Sequence, residues 1–236
     1  MSVRKLEYYY NNTYSTKQLK ADLNRKDRLK LLFNKEIRNK KILDIGCGPG
    51  VDIHFLLENK DNEVHGIDIS DDALQYAKKE GIITHKIDLL QIEQLPFKEK
   101  YFDIIIATDI LEHLFFPKDL LLEIYRVMKD DGFAIISVPN HFYLKGRLKI
   151  LCGGGIIHPA HKDINEWDYF HIRFFTLQSF EKLIKQTKFT IEERFYDKFI
   201  NCPRGLPHFI DKYFARKFPN LFSMHFMVKV TRRDKL

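Results

Sequence analysis

The heptad Asp44-Ile45-Gly46-Cys47-Gly48-Pro49-Gly50 closes a short apolar run and joins a carboxylate to three glycines. Glycines after a strand let the backbone approach a ligand and accept dihedrals closed to other residues. The spacing is not the GxGxxG that sets a helix amino end against a pyrophosphate. An acid two residues before the first glycine would repel a pyrophosphate, yet it can hold an ammonium group directly or through water. The turn therefore favours a ligand that carries an amino acid over NAD. By itself it is weak evidence, because any tight strand-to-helix turn can use glycine.

Two further acids stand at the ends of the next apolar runs. Asp68 closes HGID before Ser70, and Asp88 closes GIITHKID. A carboxylate at the tip of the neighbouring strand can accept both hydroxyls of a ribose, and the distance from Asp68 to the glycine turn fits one βαβ unit. The other reading of Asp68 is a cap for the following helix. Asp88 could accept the exocyclic amine of an adenine, with Ile69 and Leu89 sandwiching the ring, or it could be an ordinary loop acid. Together the three acids and the glycine turn form a far stronger signal than any one of them.

A second constellation lies beyond. Asp109-x-x-Glu112-His113 follows the run FDIIIA, and His171 stands in HIRFF. His113 is a candidate general base with Glu112 beside it, or a packing residue beneath the helix that Pro117 opens. Asp109, Glu112, His113 and His171 offer two carboxylates and two imidazoles, a set that could hold a divalent ion and lower the pKa of a hydroxyl. Trp167, Tyr169, Phe170, Phe174 and Phe175 could wall an apolar or ring-shaped substrate, or pack partly in the core.

The elements that would carry these residues alternate. Strands are expected at KILDIG, EVHGIDIS, GIITHKIDLL, YFDIIIATDIL and FAIISVPN, with helices after the glycine turn, after Ser70 and from Pro117 to a stop at Asp130-Asp131-Gly132. Such alternation predicts a parallel sheet wound on both sides. A charged helix is expected over 17–38. Residues 140–175 show no clear periodicity beyond a short first helix. Then come a helix from Thr176, a strand at FTIEERFYD, a basic amphipathic helix around 204–218 and a final strand, SMHFMVKVT. That basic helix, and Lys145, Arg147 and Lys149, could meet phosphates or rest on a membrane surface, although packing against the core is as consistent with them.

Bulk properties set bounds. The chain has 236 residues, 44% of them hydrophobic, which suits one sizeable α/β domain. No apolar run is long enough to span a bilayer, and no secretory signal is evident at the start. Three scattered cysteines without CxxC spacing predict neither a disulfide framework nor a zinc knot, and point to a reducing cytoplasm. The net charge of +7 is spread along the chain, as on an ordinary lysine-rich surface.

The segments ILDIGCGPG (42–50), GIDIS (66–70), KIDLLQIEQLPFKEKYFDIII (86–106) and ATDILEHL (107–114) resemble class I S-adenosylmethionine-dependent methyltransferases. Within that class they are most similar to the branch of ubiquinone-biosynthesis O-methyltransferases and bacterial small-molecule and glycan methyltransferases. The resemblance implies a Rossmann-like, doubly wound, seven-stranded sheet, mostly parallel with an antiparallel last strand. It implies S-adenosylmethionine as cofactor, with Gly46, Cys47, Gly48 and Gly50 along its amino-acid portion and Asp44 toward its ammonium group. Asp68 would take the ribose hydroxyls, Asp88 with Leu89 the adenine, and Asp109 would sit near the methionine moiety.

One domain is expected: an arm and helix (1–39), a cofactor core (40–140), a substrate loop (141–175) carrying Trp167, Tyr169, His171 and Phe174, and a C-terminal part (176–236). The expected reaction is O-methylation of a small-molecule, glycan or lipid-like acceptor in the cytoplasm, with Glu112 and His113 as catalytic candidates. The Asp-x-x-Glu-His pattern with a distant His also resembles metal-dependent small-RNA 2′-O-methyltransferases, which keeps a divalent metal and an RNA-directed activity as alternatives. A catalytically silent cofactor-binding subunit is a third. The sequence leaves the acceptor and the oligomeric state open.

Overall fold

A computed structural model describes residues 29, 33, 36–58, 61–91, 93–156, 169–196 and 208–233, with the backbone alone at 208–212. Seven strands form one sheet in the order β3-β2-β1-β4-β5-β7-β6. The chain divides into two compact units, residues 1–107 with 126–134 and residues 108–125 with 135–236.

In the first unit, β1 (Lys41–Ile45), β2 (Glu63–Asp68) and β3 (Ile83–Lys86) pair in parallel. Ile42, Leu43 and Ile45 are wholly buried, as expected of a strand covered on both faces. Gly66 lets β2 pass the glycine turn, since a Cβ there would lie 2.7 Å from Cys47 Sγ. Helix α1 (Asp71–Lys79) starts at Ser70, whose hydroxyl accepts from the Ala73 amide. Asp71 and Asp72 in its first turn and Lys78 and Lys79 in its last complement the helix dipole. Arg126 donates to the carbonyls of Leu95 and Phe97 at 2.8 and 2.9 Å and pins the loop before β4 (Phe102–Thr108). Ile104, Ile105 and Ile106 of β4 are buried to within 1% of complete.

In the second unit, helix α2 (Pro117–Val127, its last two residues counted with the first unit) is followed by α3 (Leu144–Leu151) and α4 (Leu177–Lys185). Thr176 and Ser179 form a capping box at the start of α4. Arg194 of β6 (Phe189–Tyr196) donates to Glu181 of α4 at 2.6 Å, and this bond holds the Glu181 carboxyl below its ordinary range. Helices α5 (His208–Lys217) and α6 (Pro219–Phe222) lead to β7 (His225–Arg232), which runs antiparallel to β6. No helix among the described residues is long and apolar enough to cross a membrane.

Three expectations need correction or fall outside the described residues. After the glycine turn the described residues hold a 3-10 turn, His54–Leu56, in place of the expected helix. Bonds from Gly50 to Cys47, Ile53 to Gly50 and Leu56 to Ile53 wind this stretch as successive i-to-i+3 turns. Asp130-Asp131-Gly132 does not stop a helix, because α2 ends at Val127 and β5 (Met128–Pro139) already contains these residues. Gly132 marks a close backbone approach instead: a Cβ would stand 2.8 Å from the Asp103 carbonyl oxygen. Most of the helix expected over 17–38 lies outside the described residues. Of it, Leu29 is helical and buried, whereas 33 and 36–38 are not helical, and the Phe33 ring lies 5.9 Å from Phe55 and 6.3 Å from Phe133.

Gly132→Ala is expected to lower unfolding stability by about 1–3 kcal/mol, as overpacking does. Urea denaturation checks this, and an unchanged midpoint would mean that the backbone there has room to spare.

Candidate functional site

Parallel pairing brings the ends of β1, β2 and β3 to one edge of the first unit. Asp44 lies opposite Gly66, and Asp68 opposite Lys86. Past β1 the chain folds back onto β2, with the amides of Gly46 and Cys47 both donating to the Ile67 carbonyl at 2.8 and 2.9 Å. Gly46, Gly48 and Gly50 have φ of 72°, 52° and 74°, the left-handed region that glycine enters without strain. Asp68 is 7% exposed. Its Oδ2 accepts from the Gly48 amide and its Oδ1 from the Ser70 amide, both at 2.9 Å. The helix cap is Ser70 rather than Asp68.

Asp44 is fully buried within β1. Cys47 is 1% exposed, and its thiol contacts the Gly48 carbonyl at 3.4 Å, so it can meet a ligand only through its backbone. Asp88 Oδ1 accepts from the Leu90 amide at 3.0 Å. Its Oδ2 is buried and finds no hydrogen-bond partner among the described residues. Ile69 and Leu89 are half-buried beside the two acids. A buried acceptor left open suits a ligand that brings a donor, as an adenine amine would. The glycine turn and the acids thus fit the cofactor that the sequence implies.

The second constellation sits entirely in the second unit. Glu112, wholly buried, lies in the 3-10 turn Leu111–His113. Its Oε1 stands 3.8 Å from His113 Nε2. His171 joins them, so that one ligand atom from each of Glu112, His113 and His171 lies within 4.8 Å of the others. The chain is strapped there by two amides, Ile172 and Arg173, which donate to the Glu112 carbonyl at 2.9 and 3.0 Å. The Arg173 guanidinium adds a bond to the Phe115 carbonyl at 2.9 Å.

Asp109 is not part of this cluster. Its φ of 58° turns it off the strand, and its Oδ1 accepts from the Ser137 hydroxyl at 2.8 Å. Phe170 stacks on His113 with centroids 5.1 Å apart. Phe174 meets His141 edge-on at 5.0 Å, whereas Phe175 is a core residue against Phe180. Trp167 lies outside the described residues.

His141, which the sequence reading did not single out, belongs with this group. It is 3% exposed, and its Nε2 lies 3.0 Å from His171 Nδ1. The Tyr169 hydroxyl lies 2.7 Å from His141 Nε2 and 2.8 Å from His171 Nδ1. The available signal was its place at a strand end, just after β5, the position that drew attention to the acids. In the same unit a cavity of about 490 Å³ is lined by Phe142, Arg147, Ile150, Leu151 and Thr176. Helix α3 buries only Gly146, and Leu151 is 82% exposed. Burial raises the pKa of Tyr143 at the start of that helix.

A family model described as a methyltransferase domain matches residues 37–193. An uncharacterized protein of Methanocaldococcus jannaschii is 31% identical over 201 residues, covering 79% of this chain and 76% of that protein. The mitochondrial ubiquinone biosynthesis O-methyltransferase of Candida albicans is 30% identical over 139 residues, 53% of this chain and 42% of that protein. The chain thus matches less than half the length of that relative.

Among solved structures, a chain from the complex of the Haloferax volcanii Trm112 methyltransferase activator with a methyltransferase superposes with a TM-score of 0.67. It has 14% identity, and the match covers 94% of this chain and 97% of that one. An S-adenosylmethionine-dependent methyltransferase of Archaeoglobus fulgidus gives 0.58 at 19% identity, covering 88% and 92%. At these identities the likeness speaks for the fold. With the family match spanning most of the chain and the glycine turn and acids in place, the chain belongs to the class I S-adenosylmethionine-dependent methyltransferases.

Proposed function

We propose that the protein methylates a hydroxyl of a small-molecule, glycan or lipid-linked acceptor. The observation that carries this reading is the wholly buried Glu112 with His113 and His171 gathered around it. The relatives named for ubiquinone-biosynthesis O-methylation support the same chemistry. The cofactor supplies an electrophilic methyl group on a sulfonium and departs as a neutral thioether. The protein's task is then to hold the acceptor oxygen in line, roughly 3 Å from that carbon, and to receive its proton.

Each residue has a part in this reading. Asp44 and the backbone of Gly46, Cys47, Gly48 and Gly50 hold the amino-acid end of the cofactor. Asp68 takes the ribose and Asp88 the adenine, whose ring lies between Ile69 and Leu89. Asp109, tied to Ser137, shapes the approach to the methionine end. Glu112 and His113 receive the proton, and Tyr169, His171, Phe174 and Trp167 belong to the acceptor side.

A panel of hydroxylated small molecules, glycans and RNA, assayed for S-adenosylhomocysteine release, tests the acceptor class. Turnover is expected with a hydroxylated small molecule or glycan. It should fall by about 100-fold or more in Glu112→Gln and His113→Ala, the usual loss for a general base, with cofactor affinity kept. Turnover on RNA alone, or full activity in both variants, would contradict the reading.

The proximity of one carboxylate and two imidazoles favours a second reading, in which Glu112, His113 and His171 hold a divalent ion. Mixed N/O donors of this kind suit zinc, cobalt or iron, and such an ion would lower the pKa of an acceptor hydroxyl. Titration of chelator-treated protein with Co²⁺ checks it. Binding that is lost in His171→Ala is expected. No Co²⁺ binding, together with turnover that EDTA leaves unchanged, would exclude the metal.

A further inference from the structure

We propose that helix α3 docks the protein on an anionic bilayer surface, with a stripe of leucines in the interface and cations on either side of it. Such docking does not depend on which acceptor is methylated. Gly146 sets the orientation of the helix. It is the one buried residue of α3, and a Cβ there would stand 2.6 Å from the His141 carbonyl oxygen and 3.0 Å from the Tyr143 ring. The helix is pressed on the protein through Gly146, so its opposite side faces outward.

At 3.6 residues per turn, Leu144, Leu148 and Leu151 line up on that outward side. Leu144 is half-buried, whereas Leu148 is 53% and Leu151 82% exposed. Lys145 falls on one flank of the stripe and Arg147 on the other, with Lys149 one turn beyond Lys145, and all three are exposed. Arg147 Nε donates to the Phe142 carbonyl at 2.5 Å, which anchors the guanidinium near the start of the helix. The cavity described above shares Arg147 and Leu151 with this face. Helix α6 packs against both α3 and α5, so α5 belongs to the same region of the unit. Ala215 of α5 is buried, while Tyr213, Phe214 and, just past the helix end, Phe218 are exposed. Lys217 Nζ lies 5.5 Å from the Tyr213 ring centroid and 5.8 Å from that of Phe218.

The chemistry of this face selects its occupant. Leucines flanked by lysine and arginine let a helix bury apolar atoms below the headgroups while its cations meet lipid phosphates. Tyrosine rings beside lysines suit the headgroup level. No acidic residue occurs in 132–162, so a second copy presenting the same face would set like charges together. A nucleic acid would satisfy the cations and leave the leucines in water. A bilayer containing anionic lipids satisfies both.

Sedimentation of the full-length protein with vesicles tests the proposal. Binding is expected to vesicles of phosphatidylcholine mixed with phosphatidylglycerol, falling as salt is raised, and should be weak on phosphatidylcholine alone. Lys145→Gln, Arg147→Gln and Lys149→Gln together should lower the affinity for the mixed vesicles about 100-fold, because each cation near an anionic surface strengthens binding about fivefold. Leu148→Ser with Leu151→Ser should weaken it as well, which a contact made by charge alone would not show. These side chains are exposed, and both variants are expected to keep the wild-type melting temperature. Hydrogen exchange of the wild type locates the contact without any variant: the amides of 144–152 should slow when mixed vesicles are added. No binding to mixed vesicles, equal binding by both folded variants, or protection confined to other segments would overturn the proposal. So would either rival occupant in the absence of vesicle binding, namely an RNA duplex held by the same three cations or a dimer that the serine variant breaks.

Discussion

The first unit depends on one buried carboxylate. Asp68 ends β2 almost out of reach of solvent, where a charge must be met by hydrogen bonds or cost several kcal/mol. Its two oxygens are met by the amides of Gly48 and Ser70. One bond fixes the glycine turn that follows β1, and the other fixes the start of α1. The turn can bring its amide there because Gly46, Gly48 and Gly50 accept positive φ and because Gly66 leaves space for Cys47. The same carboxylate that a ribose would engage therefore already organises two strand ends. A cofactor arriving at this edge would find its contacts largely preorganised.

In the second unit the corresponding constraint is the strap on Glu112. The amides of Ile172 and Arg173, 60 and 61 positions further along the sequence, fasten that segment to its carbonyl, while its side chain stays buried beside His113. This gathers titratable groups from three separated segments into one aromatic-walled cluster. Perturbable groups brought together out of solvent are where acid–base chemistry is expected. The fold as such assigns no acceptor.

Much of this architecture was legible in the sequence. The strands around KILDIG, HGID and FDIII show as apolar runs because both faces are covered, and the acids Asp44 and Asp68 stand out against them. Ser70 with its following acids announces α1 correctly. What was not legible depends on distance and dihedrals. The pattern Asp109-x-x-Glu112-His113 cannot show that a left-handed Asp109 turns to Ser137 and leaves the cluster. The pairing of His141 with His171 joins residues thirty positions apart in sequence, a separation that local periodicity does not register. Asp130-Asp131-Gly132 looks like a helix stop because glycine commonly is one, whereas here it relieves a close approach to Asp103.

The central claim is that the edge built by Asp44, the glycine turn, Asp68 and Asp88 receives S-adenosylmethionine. Calorimetric titration of the purified protein with S-adenosylmethionine and, in parallel, with NAD tests it most directly. The account predicts micromolar binding of S-adenosylmethionine that Asp68→Ala abolishes, and no binding of NAD. Binding of NAD in its place, or S-adenosylmethionine affinity indifferent to Asp68→Ala, would contradict it.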